Sequence, residues 1–162
     1  MIFVTVGTNE ARFERLLRAV ADLPTDERLV IQHGHSSPVR RSNCELVDFL
    51  PFETMVETMR SARVVVTHAG VGSVMVALST GKRPVVVPRR KRLGEAVDDH
   101  QLQLGRRFAR AGLVTLVEME TALADALASE QAAAMPPSAA NTLAHDLRSF
   151  LEGIIARSPA RP

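Results

Sequence analysis

The sequence predicts a doubly wound α/β domain built on a mostly parallel sheet. Short apolar runs, many of them rich in valine, alternate along the chain with stretches whose apolar residues recur at helical spacing. The apolar runs are continuous, which is typical of strands that are buried on both faces. Strands of this kind, separated by helices, form a parallel sheet with helices on either side. The length of 162 residues suits one such domain.

The expected elements follow from these patterns and from the residues that end them. We expect strands over residues 2–6, 29–31, 45–49, 64–66, 85–87 and 113–117. We expect helices over residues 11–21 and 52–60, from the turn after the fourth strand to residue 79, and over 97–111. Gly81 follows the third helix, where a glycine commonly ends a helix, and Pro88 ends the fifth strand. These elements place residues 1–130 in one domain.

The C-terminal third differs in composition from the rest. Residues 131–140 are rich in Ala, Pro and Ser and predict a flexible linker. Residues 141–157 predict an amphipathic helix whose apolar side chains share one face, namely Leu143, Leu147, Phe150, Leu151, Ile154 and Ile155. That face either packs on the chain's own sheet or docks on another subunit, and the sequence favours neither. Residues 158–162 predict a disordered tail.

Composition excludes several classes of function. The formal net charge is +2, which does not suggest binding to nucleic acid. No run of about 18 apolar residues predicts a membrane span, and the first residues lack the regions of a signal peptide, so we expect a cytoplasmic protein. Cys44 is the one cysteine, and we interpret it as a small, partly buried side chain rather than a nucleophile. No CxxC or DxD spacing predicts a metal site, and we expect none.

A glycine-rich turn within residues 64–88 is the most informative stretch. It follows a strand and opens a helix, and it contains Gly70 and Gly72. The unpaired N–H groups at such a helix start, together with the positive end of the helix dipole, suit a phosphate or diphosphate. Ser73 adds a hydroxyl, and His68 lies at the carboxyl end of the strand, where open α/β sheets bind ligands. The alternative is a tight strand-to-helix turn with no ligand.

A second polar stretch, within residues 88–108, follows the next strand and therefore opens on the same sheet edge. Short polar side chains that can bind sugar hydroxyls cluster at the start of a helix: Asp98, Asp99, His100 and Gln101. The alternative role for either aspartate is to cap that helix. A basic run precedes them, comprising Arg89, Arg90, Lys91 and Arg92. Such a run is usually a solvated loop, but its position makes Arg89 and Arg90 candidate contacts for a diphosphate or an anionic sugar.

At these two stretches the sequence resembles glycosyltransferase family 28, specifically its C-terminal, donor-binding domain. The motifs lie in order within residues 1–117: MIFVTVGT at 1–8 followed by Phe13, DFLPF at 48–52, THAGVGS at 67–73, LSTGKRPVVVPR at 78–89 and GEAVDDHQ at 94–101. They are similar to the small subunits of split enzymes. One kind is the donor subunit of the eukaryotic dolichol-linked GlcNAc transferase, and the other is the small partner of bacterial capsule and exopolysaccharide transferases.

The resemblance implies a Rossmann-like half of a two-domain GT-B enzyme and assigns roles to residues. It implies that the donor diphosphate is bound by Gly7, Thr8, His68, Gly70, Gly72 and Ser73. It implies that the donor sugar is bound by Asp99, His100 and Gln101. Many related transferases carry a Glu that holds the ribose where this chain has Val76. Contact with the ribose is therefore expected from other residues, or the affinity for the nucleotide is lower.

The resemblance further implies a donor-binding subunit of an inverting transferase that uses a UDP-sugar and a polyprenyl-diphosphate-linked acceptor in polysaccharide biosynthesis. The acceptor half is expected to be a separate, membrane-associated subunit, which would hold this chain at the inner face of the membrane. No metal or other cofactor is expected, and the general base is left unassigned because it can belong to the partner. The alternative is a non-catalytic subunit that activates or stabilises its partner. An epimerase or phosphorylase is disfavoured, because no second domain closes the cleft.

Overall fold

A computed structural model describes residues 1–129, which form one six-stranded sheet. The strand order is β3-β2-β1-β4-β5-β6, and every neighbouring pair is parallel. The strands are β1 (Ile2–Thr5), β2 (Leu29–Gln32), β3 (Cys44–Val47), β4 (Val64–Thr67), β5 (Val85–Val86) and β6 (Thr115–Leu116). This is the order of the doubly wound dinucleotide-binding sheets, and it confirms the predicted fold class.

Within residues 1–129, five α-helices connect or follow the strands. They are α1 (Glu14–Ala21), α2 (Phe52–Ser61), α3 (Val71–Ser79), α4 (His100–Arg110) and α5 (Leu123–Ser129). Two short 3₁₀ helices, Lys91–Leu93 and Glu120–Ala122, lie in the loops before α4 and α5. Gly81 has a φ of 76° just beyond α3, as expected of a glycine that ends a helix.

The sheet is buried on both faces because its side chains alternate between two apolar layers. On one face Ile2 and Val4 join the cluster that contains α1 and α5. On the other face Phe3 and Val65 pack against α2 and α3. The edge strand β3 is the exception, since Glu45 and Leu46 are exposed. The continuous apolar runs in the central strands thus reflect burial from both sides.

Two helices begin three residues later than their patterns predict. The segment before α1 is a loop, in which the N–H of Phe13 donates to Ser36 Oγ and the N–H of Ala11 donates to Asn9 Oδ1. The segment before α4 is likewise a loop, with Val97 exposed and Asp98 Oδ1 accepting from the N–H of His100. In both cases local hydrogen bonds to side chains replace the first helical turn.

The predicted C-terminal features lie outside the described residues. These are the linker over 131–140, the helix over 141–157 and the tail over 158–162, so they remain predictions together with the domain boundary at 130. Helix α5 and the two 3₁₀ helices are additional elements that the patterns did not indicate. Within residues 1–129, no helix is long and apolar enough to cross a bilayer.

Candidate functional site

The candidate site lies where the sheet order reverses direction. From β1 the chain continues to β2 on one side, whereas β4 lies on the other side of β1 and leads on to β5. Open α/β sheets bind their ligands at this point, beyond the carboxyl ends of the strands. The loop after β1 carries Gly7 and Thr8, and the loop after β4 carries His68 and Gly70. The topology therefore brings together two segments that are far apart in sequence.

His68 fills the space between two glycines. A Cβ atom added to Gly7 would lie 2.4 Å from His68 Cε1, and one added to Gly70 would lie 2.2 Å from His68 Nε2. Gly7 also has a φ of 76°, a conformation that side chains other than glycine rarely adopt. Gly7 and Gly70 thus make room for the imidazole, which is a more specific reason for a glycine than the approach of a ligand.

The imidazole of His68 is uncharged at neutral pH. Burial, and secondarily the positive charge of Arg89, lower the pKa of His68 to about 4. Its Nδ1 lies 3.4 Å from Thr67 Oγ1. A neutral imidazole carries one N–H donor and one acceptor nitrogen, so His68 can donate a hydrogen bond without adding a charge.

The start of α3 provides open N–H groups beside this histidine. Gly70 precedes the helix, and no side chain caps it. The first helical residues are Val71, Gly72 and Ser73, whose N–H groups have no partner within the helix. Gly72 is exposed, and a Cβ added there would meet no atom within 4 Å. This end of α3 can therefore receive an anion, aided by the helix dipole.

The four polar residues before and within the first turn of α4 are engaged with their own loop. Asp98 accepts from the N–H of His100 at 3.0 Å, and its second oxygen lies 2.6 Å from His100 Nδ1. Asp99 occupies the cap position but accepts instead from the N–H of Lys91 at 3.1 Å. Gln101 Oε1 accepts from the N–H of Arg89 at 3.2 Å. Asp99 therefore makes no side-chain cap bond, and Asp98 accepts from the N–H of the first helical residue.

The structure corrects the expected environment of the two candidate anion contacts. Arg89 does not lie on a solvated loop, because its side chain is completely buried and its guanidinium donates to backbone carbonyls. Arg90 is half-buried and donates to the carbonyl of Glu118. Within the basic run, Lys91 and Arg92 are the exposed members. The sequence could not reveal this, since a run of four cations is usually hydrated.

An aromatic pair was missed as a site feature by sequence reasoning. The rings of His35 and Phe49 meet edge to face with centroids 5.3 Å apart, beyond the ends of β2 and β3. Phe49 is 46% exposed. A Cβ added to Gly34 would lie 3.1 Å from the Gly7 carbonyl oxygen and 3.6 Å from Phe49 Cε1. The pair therefore adjoins the loop after β1. In the sequence, only the DFLPF motif, which contains Phe49, pointed to it.

Two further sequence expectations can be placed. Thr8 is exposed beside Gly7, whose N–H donates to Thr5 Oγ1. Val76 packs at the margin of the apolar cluster formed by Phe3 and the α2 side chain of Met59. No group of three or more His, Cys, Asp or Glu side chains within residues 1–129 could hold a metal ion.

Comparisons with known sequences identify the family. The model of the glycosyltransferase family 28 C-terminal domain matches residues 1–152. The UDP-N-acetylglucosamine transferase subunit ALG13 of Homo sapiens is 30% identical over 123 residues, which cover 68% of this chain. The same subunit of Yarrowia lipolytica is 42% identical over 52 residues, or 32% of this chain. The chain spans only 10% of the human relative's length and 24% of the yeast relative's.

Comparisons with solved structures agree on the fold. CalG4, the calicheamicin glycosyltransferase, is similar with a TM-score of 0.64 and 17% identity, covering 98% of this chain and 42% of that one. The kitacinnamycin glycosyltransferase gives a TM-score of 0.62 and 21% identity, covering 94% of this chain and 39% of that one. The family-model match, with which the sheet order of this chain agrees, shows that the chain belongs to the glycosyltransferase family 28 C-terminal domain family.

Proposed function

We propose that this chain is the donor-binding subunit of a two-subunit inverting glycosyltransferase. It binds a UDP-sugar, and the sugar passes to a polyprenyl-diphosphate-linked acceptor during polysaccharide biosynthesis. The observation that carries this proposal is the uncapped start of α3 beside the half-buried, neutral His68 at the switch point of the sheet. That arrangement suits the diphosphate of a nucleotide-sugar donor.

The chemistry needs stabilisation of a leaving diphosphate. The acceptor hydroxyl attacks the anomeric carbon, the bond from that carbon to the diphosphate oxygen breaks, and UDP leaves with the bonding electrons. The N–H groups of Gly72 and Ser73 and the donor nitrogen of His68 are positioned to bind the charge that develops. Neither a metal nor another cofactor has a role in this proposal. A general base, which we leave unassigned, takes the proton of the acceptor hydroxyl.

The aromatic pair extends the proposal to the nucleobase. His35 and Phe49 lie beyond strands β2 and β3, next to the loop that carries Gly7. We propose that a uracil ring stacks on the exposed Phe49, since this pair adjoins the loop of Gly7, which in turn contacts His68. Stacking of this kind is tolerant of base identity, so selection of uracil requires backbone contacts as well.

Support for a partner comes from the relatives and from the size of the solved transferases. Solved glycosyltransferases of this fold are more than twice as long as the region that this chain matches. The relatives in the sequence comparison are named as transferase subunits. We propose that a membrane-associated subunit contributes the acceptor side of the cleft and holds this chain at the cytoplasmic face of the membrane.

One observation favours a second candidate function, that of a non-catalytic subunit which stabilises or activates its partner. Val76 stands where many related transferases hold the ribose with a Glu, and here it packs at the margin of an apolar cluster. A carboxylate for the ribose hydroxyls is therefore missing at that position. Binding of UDP to the chain separates the two functions.

Isothermal titration calorimetry with UDP tests the donor-binding function. Wild-type chain should bind UDP, and His68→Ala should bind about tenfold more weakly or worse, since a hydrogen bond to a charged group contributes roughly 1.5–3 kcal/mol. Lys82→Ala, which removes a side chain beyond the opposite end of α3, is the matched control and should bind normally. Absence of UDP binding to the wild type, alone and with the partner, would favour the non-catalytic function.

A further inference from the structure

Arg89 is the largest completely buried side chain among the described residues, and it is charged. Its guanidinium donates to the carbonyl oxygens of Val6 at 3.0 Å, Ala11 at 2.7 Å and Glu95 at 3.2 Å, with a longer bond to Arg12 at 3.3 Å. Its Nε has no hydrogen-bond partner. The carbon of the guanidinium lies 4.6 Å from the centroid of the Phe13 ring.

The acceptors of these hydrogen bonds belong to two different loops. Val6 and Ala11 lie in the loop between β1 and α1, which carries Gly7 and Thr8. Glu95 lies in the loop between β5 and α4, which carries the aspartates next to the candidate sugar site. One side chain therefore bonds to both loops that border the proposed donor site.

The backbone around Arg89 is fixed by further contacts. Its own N–H donates to Gln101 Oε1, which connects it to the first turn of α4. Arg15 forms two hydrogen bonds to the Glu95 carboxylate, at 3.0 and 2.9 Å, and a third to the carbonyl of Pro88. The Glu95 carboxylate also accepts from the N–H of Arg90 at 3.0 Å. The ion pair of Arg15 and Glu95 thus secures the loop on which Arg89 stands.

Stability alone is a poor reason for this arrangement. Burial of a guanidinium among neutral carbonyls carries a desolvation penalty, and buried ions can often be replaced by apolar side chains of similar volume without loss of stability. The Glu95 carboxylate makes its hydrogen bonds with Arg15 and with the N–H of Arg90, and not with the Arg89 side chain. What Arg89 provides, and an apolar side chain cannot, is several directed bonds across two loops and a positive charge near His68.

We propose that Arg89 is a positioning residue that holds the β1–α1 loop and the β5–α4 loop at one spacing across the donor site. The proposal rests on the donor-binding function proposed above. Arg89 does not touch the donor in this arrangement. It acts through Gly7, Thr8 and Gln101, whose positions depend on the carbonyls and the N–H that it engages.

Its charge has a second, separable effect on His68. Burial is the larger cause of the low pKa of His68, and the Arg89 charge is the smaller one. Gly7, Gly70 and the Thr67 hydroxyl also surround the ring, and none of them is charged. Removal of the Arg89 charge should therefore raise the pKa of His68 from about 4, but not to its ordinary value of 6.5.

Two substitutions separate spacing from charge. Arg89→Lys keeps the charge but cannot reproduce the planar set of donors, whereas Arg89→Met removes both. Met59→Ala is the control, because Met59 is completely buried in the cluster on the other face of the sheet, and that cluster includes no residue of either loop. All three variants are prepared as the full-length chain. Their affinities for UDP and UDP-N-acetylglucosamine, their thermal stability, and the NMR signals of their backbone amides and of the His68 imidazole are measured.

Both Arg89 variants should bind the two nucleotides at least about tenfold more weakly, and amide signals of both loops should move. Met59→Ala should lose stability while its affinity and loop signals stay unchanged. The pKa of His68 should rise in Arg89→Met and stay low in Arg89→Lys. Nucleotide affinity equal to wild type in both Arg89 variants, or loop signals that do not move, would overturn the proposal.

The outcomes keep this proposal distinct from the donor-binding function. If wild-type chain binds neither nucleotide, the donor-binding function fails, while the loop signals still report whether Arg89 sets the spacing. If both Arg89 variants fail to fold, Phe13→Leu takes their place by removing the ring beneath the guanidinium. It should weaken nucleotide binding by about threefold, and unchanged binding there counts against the proposal.

Discussion

At the scale of single residues, the two glycines of the turn after β4 have different duties. Gly70 leaves room for the imidazole of His68, whereas Gly72 faces open space at the exposed start of α3. Nothing in the sequence distinguished Gly70 from Gly72, and the pattern predicted that both allow the close approach of a ligand. The distinction depends on the ring of His68, whose position the sequence does not specify.

Substitution of each glycine should therefore have a different signature. Gly70→Ala places a methyl group 2.2 Å from His68 Nε2, so the ring must move, and both its NMR signals and UDP affinity should change. Gly72→Val has room, and it should leave the melting temperature nearly unchanged, because Val has a higher helix propensity than Gly. It should nevertheless weaken UDP binding about tenfold by covering the N–H groups. Normal UDP binding by Gly72→Val would remove the diphosphate from this helix start.

At the scale of elements, the loop before α4 combines a structural and a proposed binding role. Asp98 accepts from the first N–H of α4. Asp99 and Gln101 accept from backbone N–H groups of the basic run before the helix. The sequence placed these residues together because they are consecutive. The sequence could not show which aspartate binds a backbone N–H at the helix start, since either side chain can cap a helix.

Three alanine variants should separate those tasks. Asp98→Ala should lower the melting temperature with nucleotide affinities unchanged, because it removes the acceptor for the first N–H of α4. Asp99→Ala and Gln101→Ala should reduce affinity for the matching UDP-sugar more than affinity for UDP, which competition binding across a panel of UDP-sugars measures. Should Gln101→Ala lose UDP as severely as UDP-sugar, Gln101 acts on the loop of Arg89 rather than on the sugar.

Secondary structure within one short stretch of sequence was predicted better than contacts between residues far apart in the sequence. The strand, turn and helix from Val64 to Ser79 could be predicted, because their signals lie within one short stretch. The hydrogen bonds of the Arg89 side chain could not be predicted, because its acceptors Val6 and Ala11 are 83 and 78 positions away in the sequence. The pair of Arg15 and Glu95, 80 positions apart, was hidden for the same reason.

At the scale of the whole molecule, the proposed function makes this chain one side of a cleft. We predict that the apolar face expected from the sequence over residues 143–155, outside the described residues, binds the acceptor subunit, so that the chain by itself transfers little or no sugar. Leu147→Asp combined with Ile154→Asp should abolish co-purification with that subunit while residues 1–129 stay folded, because burial of this face contributes roughly 25 cal/mol per Å² before the costs of association.

Circular dichroism and co-purification decide between the alternatives for this segment. Unfolding of the doubly substituted chain means that the face packs on its own sheet. A folded variant that still binds the partner places the interface elsewhere, with the exposed loop of Thr8 as the next surface to test. Leu93→Asp, on an exposed side chain outside the segment, is the matched control for added negative charge.

The strand order also determines how this domain must assemble. The earliest strand in the sequence, β1, lies at the centre of the sheet, with Ile2 opposite both Leu29 and Val64. Its second neighbour exists only after a helix, two strands and another helix have been made. Parallel pairing between such distant segments is intrinsically slow, because a long loop must close before any strand contact is gained. Until β4 arrives, the apolar edge at Phe3 and Val4 stays open, and intermediates at that stage are the ones most prone to aggregate.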